Sequence, residues 1–166
     1  MDIINALLAA GANPLLSNKA GKTAHELALN RKQTKAAKAL GDASVRFALT
    51  TNDNKAILKH IQLGASPNVF NSNEWTPLMM FAVNGWTEGV VELLKRKASI
   101  NVAEKDGWTP LMFASYKGNV EIVQALLAGK ADFVHATKNG QTALSLAMAR
   151  GHVAVAEALR KAGAKK

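Results

Sequence analysis

The chain has no cysteine. That absence excludes a disulfide framework, a thiolate metal site and a cysteine nucleophile, and it leaves the compartment open. Aromatic residues make up only 5% of the chain, with one tyrosine and three tryptophans, so the place of each ring is informative. No apolar run approaches the ~20 residues a membrane helix needs, because Lys, Asn or Gly interrupts every stretch. Met1-Asp2-Ile3-Ile4 lacks the basic segment and long apolar run of a secretory signal, so a soluble, intracellular protein is expected. Acidic residues are also few: 12 against 21 Lys and Arg, a formal charge of +9. Such a surplus favours acidic partners, of which nucleic acid is one class. Apolar residues, by contrast, are plentiful. At 48% hydrophobic and 20% charged over 166 residues, the chain is not disordered and can bury a real core.

The ordering of the chain is periodic, with a step of 33 residues. Trp75-Thr76-Pro77-Leu78-Met79 recurs as Trp108-Thr109-Pro110-Leu111-Met112, and again as Gln141-Thr142-Ala143-Leu144-Ser145. Gly85, Gly118 and Gly151 keep the same step, as do Leu93, Leu126 and Leu159. A period of this size is the mark of a repeat array. Within each unit the chemistry is legible. Thr76 and Thr109 can cap a helix through the hydroxyl, and the following proline suits the first helical position. A short helix then runs to Gly85 or Gly118, where glycine allows a left-handed end. Thr87 or Asn119 is expected to cap a second helix. Val90, Val91, Leu93 and Leu94 form its buried face at helical spacing. Ala103-Glu104-Lys105-Asp106-Gly107 then reads as a tight turn.

Asp106-Gly107-Trp108-Thr109-Pro110-Leu111-Met112-Phe113-Ala114 resembles the core motif of the ankyrin repeat. Asn119-Val120-Glu121-Ile122-Val123-Gln124-Ala125-Leu126-Leu127 resembles its second helix. The likeness is strong over 42–166 and weaker over 1–41. It implies an all-α solenoid of stacked helix–turn–helix units with hairpin turns, about five units in a single domain over 1–166. Gly21-Lys22-Thr23-Ala24-His25-Glu26 opens an early unit, and Leu7-Leu8-Ala9-Ala10-Gly11 matches the end of a unit without its first half. The N-terminal block therefore reads as a half-repeat, the form expected of a fragment or a processed chain.

The step breaks once. Thr23 and Thr76 are 53 residues apart, thirteen short of two repeats. The deficit falls at a hairpin, so Leu40-Gly41-Asp42 is expected to turn directly between helices, Gly41 ending one and Asp42 capping the next. The pattern departs from the family elsewhere too. Its usual fourth motif residue is histidine; here Glu26, Met79, Met112 and Ser145 stand there. The expectation is stacking by apolar packing, with methionine filling the gaps. The glycine after the second helix is Lys97 or Lys130 in two units. A left-handed lysine costs about 1 kcal/mol relative to glycine. Gly129 offers a shifted turn in the second case.

Catalysis has little support. His25, His60, His135 and His152 fall at unrelated repeat positions, and no HExxH motif, nucleophile elbow or phosphate loop is present. No enzyme activity, cofactor or metal is expected. Between Lys19 and Lys59 stand nine Lys and Arg against Glu26, Asp42 and Asp53. That run suits nucleic acid or an acidic partner, or is a solvated face; it lacks interleaved aromatics for base stacking.

The resemblance places the residue before the capping threonine, and the end of each first helix, on the concave groove. Partner-binding residues are thus expected at Trp75, Trp108, Tyr116 and Lys117, with Lys105 beside them. Asn84, Lys138, Gln141 and Arg150 extend the same face. The two tryptophans are expected as parallel neighbours on adjacent hairpins. Phe81, Phe113 and Leu146 are assigned to the core, and Trp86 to the convex side. The resulting expectation is a monomeric interaction module that binds another protein, with an acidic surface favoured. Nucleic acid or other polyanion binding through 19–59, and a regulatory fragment of a larger protein, are the alternatives. No membrane association is expected.

Overall fold

The computed structural model describes residues 2–165. They form an all-α chain of ten helices. These are α1 (Asp2–Ala9), α2 (Ala24–Asn30), α3 (Thr34–Thr50), α4 (Asn54–Gln62) and α5 (Pro77–Asn84), then α6 (Thr87–Lys95), α7 (Pro110–Lys117), α8 (Val120–Ala128), α9 (Ala143–Ala149) and α10 (Val153–Lys161). Among the described residues no helix is long and apolar enough to cross a membrane. The chain divides into two compact units, Met1–Asn71 and Ser72–Lys166.

The second unit follows the 33-residue step. α5, α7 and α9 stack on one another, and each packs against the second helix of its own repeat, α6, α8 or α10. The threonine hydroxyls of Thr76, Thr109 and Thr142 accept the amides of Met79, Met112 and Ser145. Pro77 and Pro110 take the first helical turn, and Gly85 and Gly118 close α5 and α7 at φ 71° and 77°. Between the two rows Leu78, Phe81, Leu93, Leu111, Ile122 and Leu126 are buried. Each such side chain contributes about 1.5–3 kcal/mol. Phe81, Phe113 and Leu146 lie in the core as their positions in the repeat require.

Four local expectations are corrected here. The capping position of α6 is Trp86, not Thr87, and it makes no side-chain cap. Its ring packs on Phe81 instead, with centroids 4.7 Å apart. Asn119 does sit at the start of α8 but does not cap it. Its Nδ2 donates to the Ala82 carbonyl one repeat back, at 3.1 Å. This exchanges a local bond for one that holds neighbouring repeats together. Nor is stacking left to apolar packing. His152 Nε2 donates to the Tyr116 carbonyl at 3.0 Å, His135 Nε2 to the Gly107 carbonyl at 3.1 Å, and the Lys138 amide to the Asp106 carbonyl at 3.1 Å. The missing motif histidines are replaced by polar groups at other repeat positions. Lys97 and Lys130 take the left-handed pose themselves, at φ 61° and 66°. Gly129, at φ −75°, does not shift the turn.

In the first unit α3 packs on both α2 and α4. It is the largest departure from expectation: no turn forms at Leu40-Gly41-Asp42. The helix runs unbroken for 17 residues through that point. Its first half serves as the second helix of one repeat and its second half as the first helix of the next. The expected absence of a hairpin holds, but fusion achieves it. The residues taken for turn signals have other partners. A Cβ at Gly41 would stand 2.8 Å from His25 Cε1, so glycine here permits close approach to a ring. Asp42 accepts the Ser66 amide at 2.7 Å and pairs with Lys38. Ser44 Oγ returns a bond to the Leu40 carbonyl within the helix.

Under Gly41 lies the polar heart of this unit. His25 and His60 are each 1% exposed. Their Nδ1 atoms are 2.8 Å apart and their rings stack at 5.1 Å. One Nδ1–H donates and the other ring accepts. Above the pair, Thr23 caps α2 reciprocally with Glu26. The Thr23 amide, aided by its hydroxyl and by Lys59, holds the Glu26 carboxyl down to about 2.

Candidate functional site

The expected partner-binding residues fall in 72–165, and the geometry joins several of them through a ring assigned only to the core. Phe113, on α7, is buried, but its ring meets both tryptophans. Its centroid is 4.6 Å from Trp75 and 5.1 Å from Trp108, with tilts of 45° and 30°. Trp108 then meets Tyr116 edge-on at 5.4 Å. The Arg150 guanidinium lies over the far side of that row, 4.0 Å from the Tyr116 ring centre. Trp75, Phe113, Trp108, Tyr116 and Arg150 thus form one run of ring contacts across three repeats. Each step is a tilted or edge-to-face arrangement of the kind aromatic quadrupoles favour.

Local sequence explains each position. Trp75 and Trp108 immediately precede the capping threonines, so the cap fixes the backbone beneath the indole. For Trp108 the turn is further tied down. Glu104 accepts the amides of Asp106 and Trp108, both at 3.0 Å, and the Glu104 amide donates to the Trp108 carbonyl. Tyr116 is one turn after Phe113 on α7 and lies on the same face. Arg150 caps the end of α9, one repeat on from Lys117.

The rings are neither fully buried nor free. Trp75, Trp108 and Tyr116 are half-buried, while Asn84, Lys105, Lys117, Lys138, Gln141 and Arg150 are exposed. The structure links Trp75, Trp108, Tyr116 and Arg150 through ring contacts. Lys105, Lys117, Lys138, Asn84 and Gln141 are exposed residues of the same unit. Phe113 as the central wedge was not foreseen. Its signal was available, since it stands one helical turn before Tyr116 and five residues after Trp108. The cation–π pair of Arg150 with Tyr116 had no sequence signal beyond the shared repeat register.

Among the described residues no group of three or more His, Asp or Glu side chains could hold a metal ion. In the basic stretch 19–59 all three acids are engaged within the fold: Asp53 accepts the Ala56 amide at the start of α4, and the other two form ion pairs. Lys59 pairs with Glu26 at 3.2 Å and Lys38 with Asp42 at 3.4 Å.

The family model described as "Ankyrin repeats (3 copies)" matches the chain over residues 45–137 and 89–166. The two matches together cover most of the sequence and leave out the first block, where the likeness was weaker. No curated protein matches the sequence.

Proposed function

We propose, for a chain that belongs to the ankyrin repeat family, that it binds a partner protein on the aromatic face of residues 72–165. Ankyrin repeats are generally protein–protein interaction modules, and proteins built from them are typically not enzymes. The finer reading names the surface. The observation that carries it is the row Trp75–Phe113–Trp108–Tyr116–Arg150, in which half-buried Trp75, Trp108 and Tyr116 are held by a buried phenylalanine and an exposed arginine.

Its rings are held in place before any partner arrives. The entropy of ordering them is spent in folding, so less is lost on binding. Trp, Tyr and Arg are the residue types that most often carry interface energy. Lys105, Lys117 and Lys138 are exposed cations on two of these repeats. They favour a partner with carboxylates around an apolar centre, and they act chiefly on association rate and specificity.

The test is the double variant Trp75→Ala/Trp108→Ala, assayed against a partner isolated by affinity capture on the intact chain. Binding is expected to weaken about tenfold or more, on the order of 1.4 kcal/mol, with helical circular dichroism retained. If affinity holds and only the melting temperature falls, the tryptophans serve the fold and the reading fails. A titration with duplex DNA across salt concentration provides the contrast, since phosphate contacts give a steep salt slope.

A further inference from the structure

The aromatic face has a direction. The residues at the ends of the first helices are register equivalents: Asn84 on α5, Lys117 on α7 and Arg150 just after α9. The residue before each capping threonine is Trp75, then Trp108, then Gln141. One end of the face is therefore apolar and neutral, and the other is polar and cationic.

Acids leave the cationic end alone. From Gly107 to Lys166 the acidic residues are Glu121, Asp132 and Glu157. Glu121 and Glu157 lie on the second helices α8 and α10, and Asp132 follows α8. The hairpin and first-helix stretches 107–118 and 133–151 hold Lys117, Lys138 and Arg150 and no acid. Just upstream, Glu104 accepts two amides of its own turn, and Asp106 is exposed. None of the three ion pairs among the described residues uses Lys117, Lys138 or Arg150. Arg150 differs from the lysines in being held: its guanidinium lies 4.0 Å from the Tyr116 ring centre. A guanidinium resting on a ring keeps its planar N–H edge for a second partner.

We infer that Arg150 is the specificity-determining residue of the aromatic face: it receives the carboxylate of an Asp or Glu on an extended partner segment whose apolar side chain rests on Trp75 and Trp108. This rests on the reading that a partner protein docks there, and adds its chemistry and direction. The length follows from the stack. α5, α7 and α9 pack side by side, at about 8–10 Å per step. Two steps make about 16–20 Å, the span of about six extended residues. Arginine suits the role because its fork meets a carboxylate with two parallel hydrogen bonds, and Tyr116 orders it beforehand. Single-stranded nucleic acid fits less well. Base stacking needs open ring faces, but here Trp108 meets Tyr116 edge-on and Arg150 covers a Tyr116 face. A second copy pairing through this face would set its cations against themselves.

The probe is a phage library of random 12-residue peptides, panned on the intact chain. Enriched peptides should carry Asp or Glu about four to six residues from a Trp, Phe or Leu. Panning on Arg150→Glu should enrich Lys or Arg at that offset instead. For the best peptide, made with a fluorescein label, anisotropy should show Arg150→Gln weakening binding about tenfold or more, with circular dichroism retained. Arg150→Lys should not restore it. Lys95→Gln removes the same charge from α6 and should leave affinity as it was, which separates recognition from net charge. Tyr116→Leu should erase the preference for the acidic peptide over its glutamine twin, and Tyr116→Phe should restore it. No enrichment, enrichment without an acid, or indifference to Arg150→Gln would overturn the proposal. So would displacement of the peptide by a dT oligomer at equal affinity, or a dimer in sedimentation velocity that Arg150→Glu alters. Loss of binding in Trp75→Ala/Trp108→Ala but not in Arg150→Gln would leave the aromatic docking face standing and refute only the role of Arg150. Peptide binding that survives the tryptophan variant would refute both.

Discussion

Acidifying the protein from pH 7 to pH 5 puts protons on histidines in the unfolded chain before it does so in the folded one. Burial holds His60 down to about 4, against an ordinary value of 6.5, with His25 and Lys59 adding to the effect and Glu26 and Asp53 opposing it. His25 is lowered too, again chiefly by burial, with Glu26 and Asp42 pulling the other way and Lys59 adding to it. The geometry gives the reason. The two Nδ1 atoms share one hydrogen at 2.8 Å, with both rings out of water. Doubly protonated, they would point two donors and two charges at each other. The sign follows. Between 6.5 and about 4 the unfolded state binds more protons than the folded state, so stability falls as pH falls through that window. Above it both states are neutral at His60 and the curve is flat. Taking about 1.4 kcal/mol per pH unit, His60 alone removes about 2 kcal/mol by pH 5 and about 3 kcal/mol by pH 4. Glu26, held at about 2, titrates in the native protein only below that range, so the interval from pH 7 to 5 isolates the histidines.

Urea denaturation at pH 7, 6 and 5 measures the effect, and two probes locate it. Trp75, Trp86 and Trp108 are the only tryptophans, and all lie in the second unit. Amide hydrogen exchange over 23–62 should rise at pH 5, after correction for intrinsic rates, before the tryptophan signal moves. His60→Gln should remove most of the slope between pH 7 and 5. A midpoint that stays flat over that interval, or a His60→Gln protein with the native slope, would refute the argument.

Lys97→Gly should stabilise the protein by up to about 1 kcal/mol, because Lys97 holds φ 61° where glycine carries no Cβ penalty. An unchanged or lowered urea midpoint counts against it. Gly41→Ala should destabilise by about 1–3 kcal/mol despite alanine's better helix propensity, since the new Cβ meets His25 at 2.8 Å in a packed interior. A stabilised Gly41→Ala protein would mean that the ring yields freely. Asn119→Ala should cost about 1 kcal/mol, and Asn119→Asp should not restore it, because the Ala82 carbonyl needs a donor. Full recovery by aspartate would point to helix capping instead.

The sequence alone determined whatever one repeat can specify by itself. Threonine, proline and glycine at fixed offsets set the ends of α5 and α7. The apolar spacing chose the buried faces of α6 and α8, and the 33-residue step made these elements recur. Such features are local, or repeat a local one, so no distant contact is needed to read them. Trp75, Trp108, Tyr116 and Arg150 were legible as a surface for the same reason: the register puts equivalent residues on equivalent faces. Only the tertiary structure decided the rest. Gly41 and Asp42 carry turn chemistry, yet α3 continues through them, because a histidine 16 residues earlier needs the space and an amide 24 residues later needs the carboxylate. Asn119 could cap its own helix but reaches the previous repeat. His25 and His60 stand at unrelated positions and become a single buried pair. Phe113 has the spacing of a core residue and also joins two tryptophans. In each case a side chain had a local option and a distant one, and the distant partner, once dehydrated by packing, would have been costly to leave unmet.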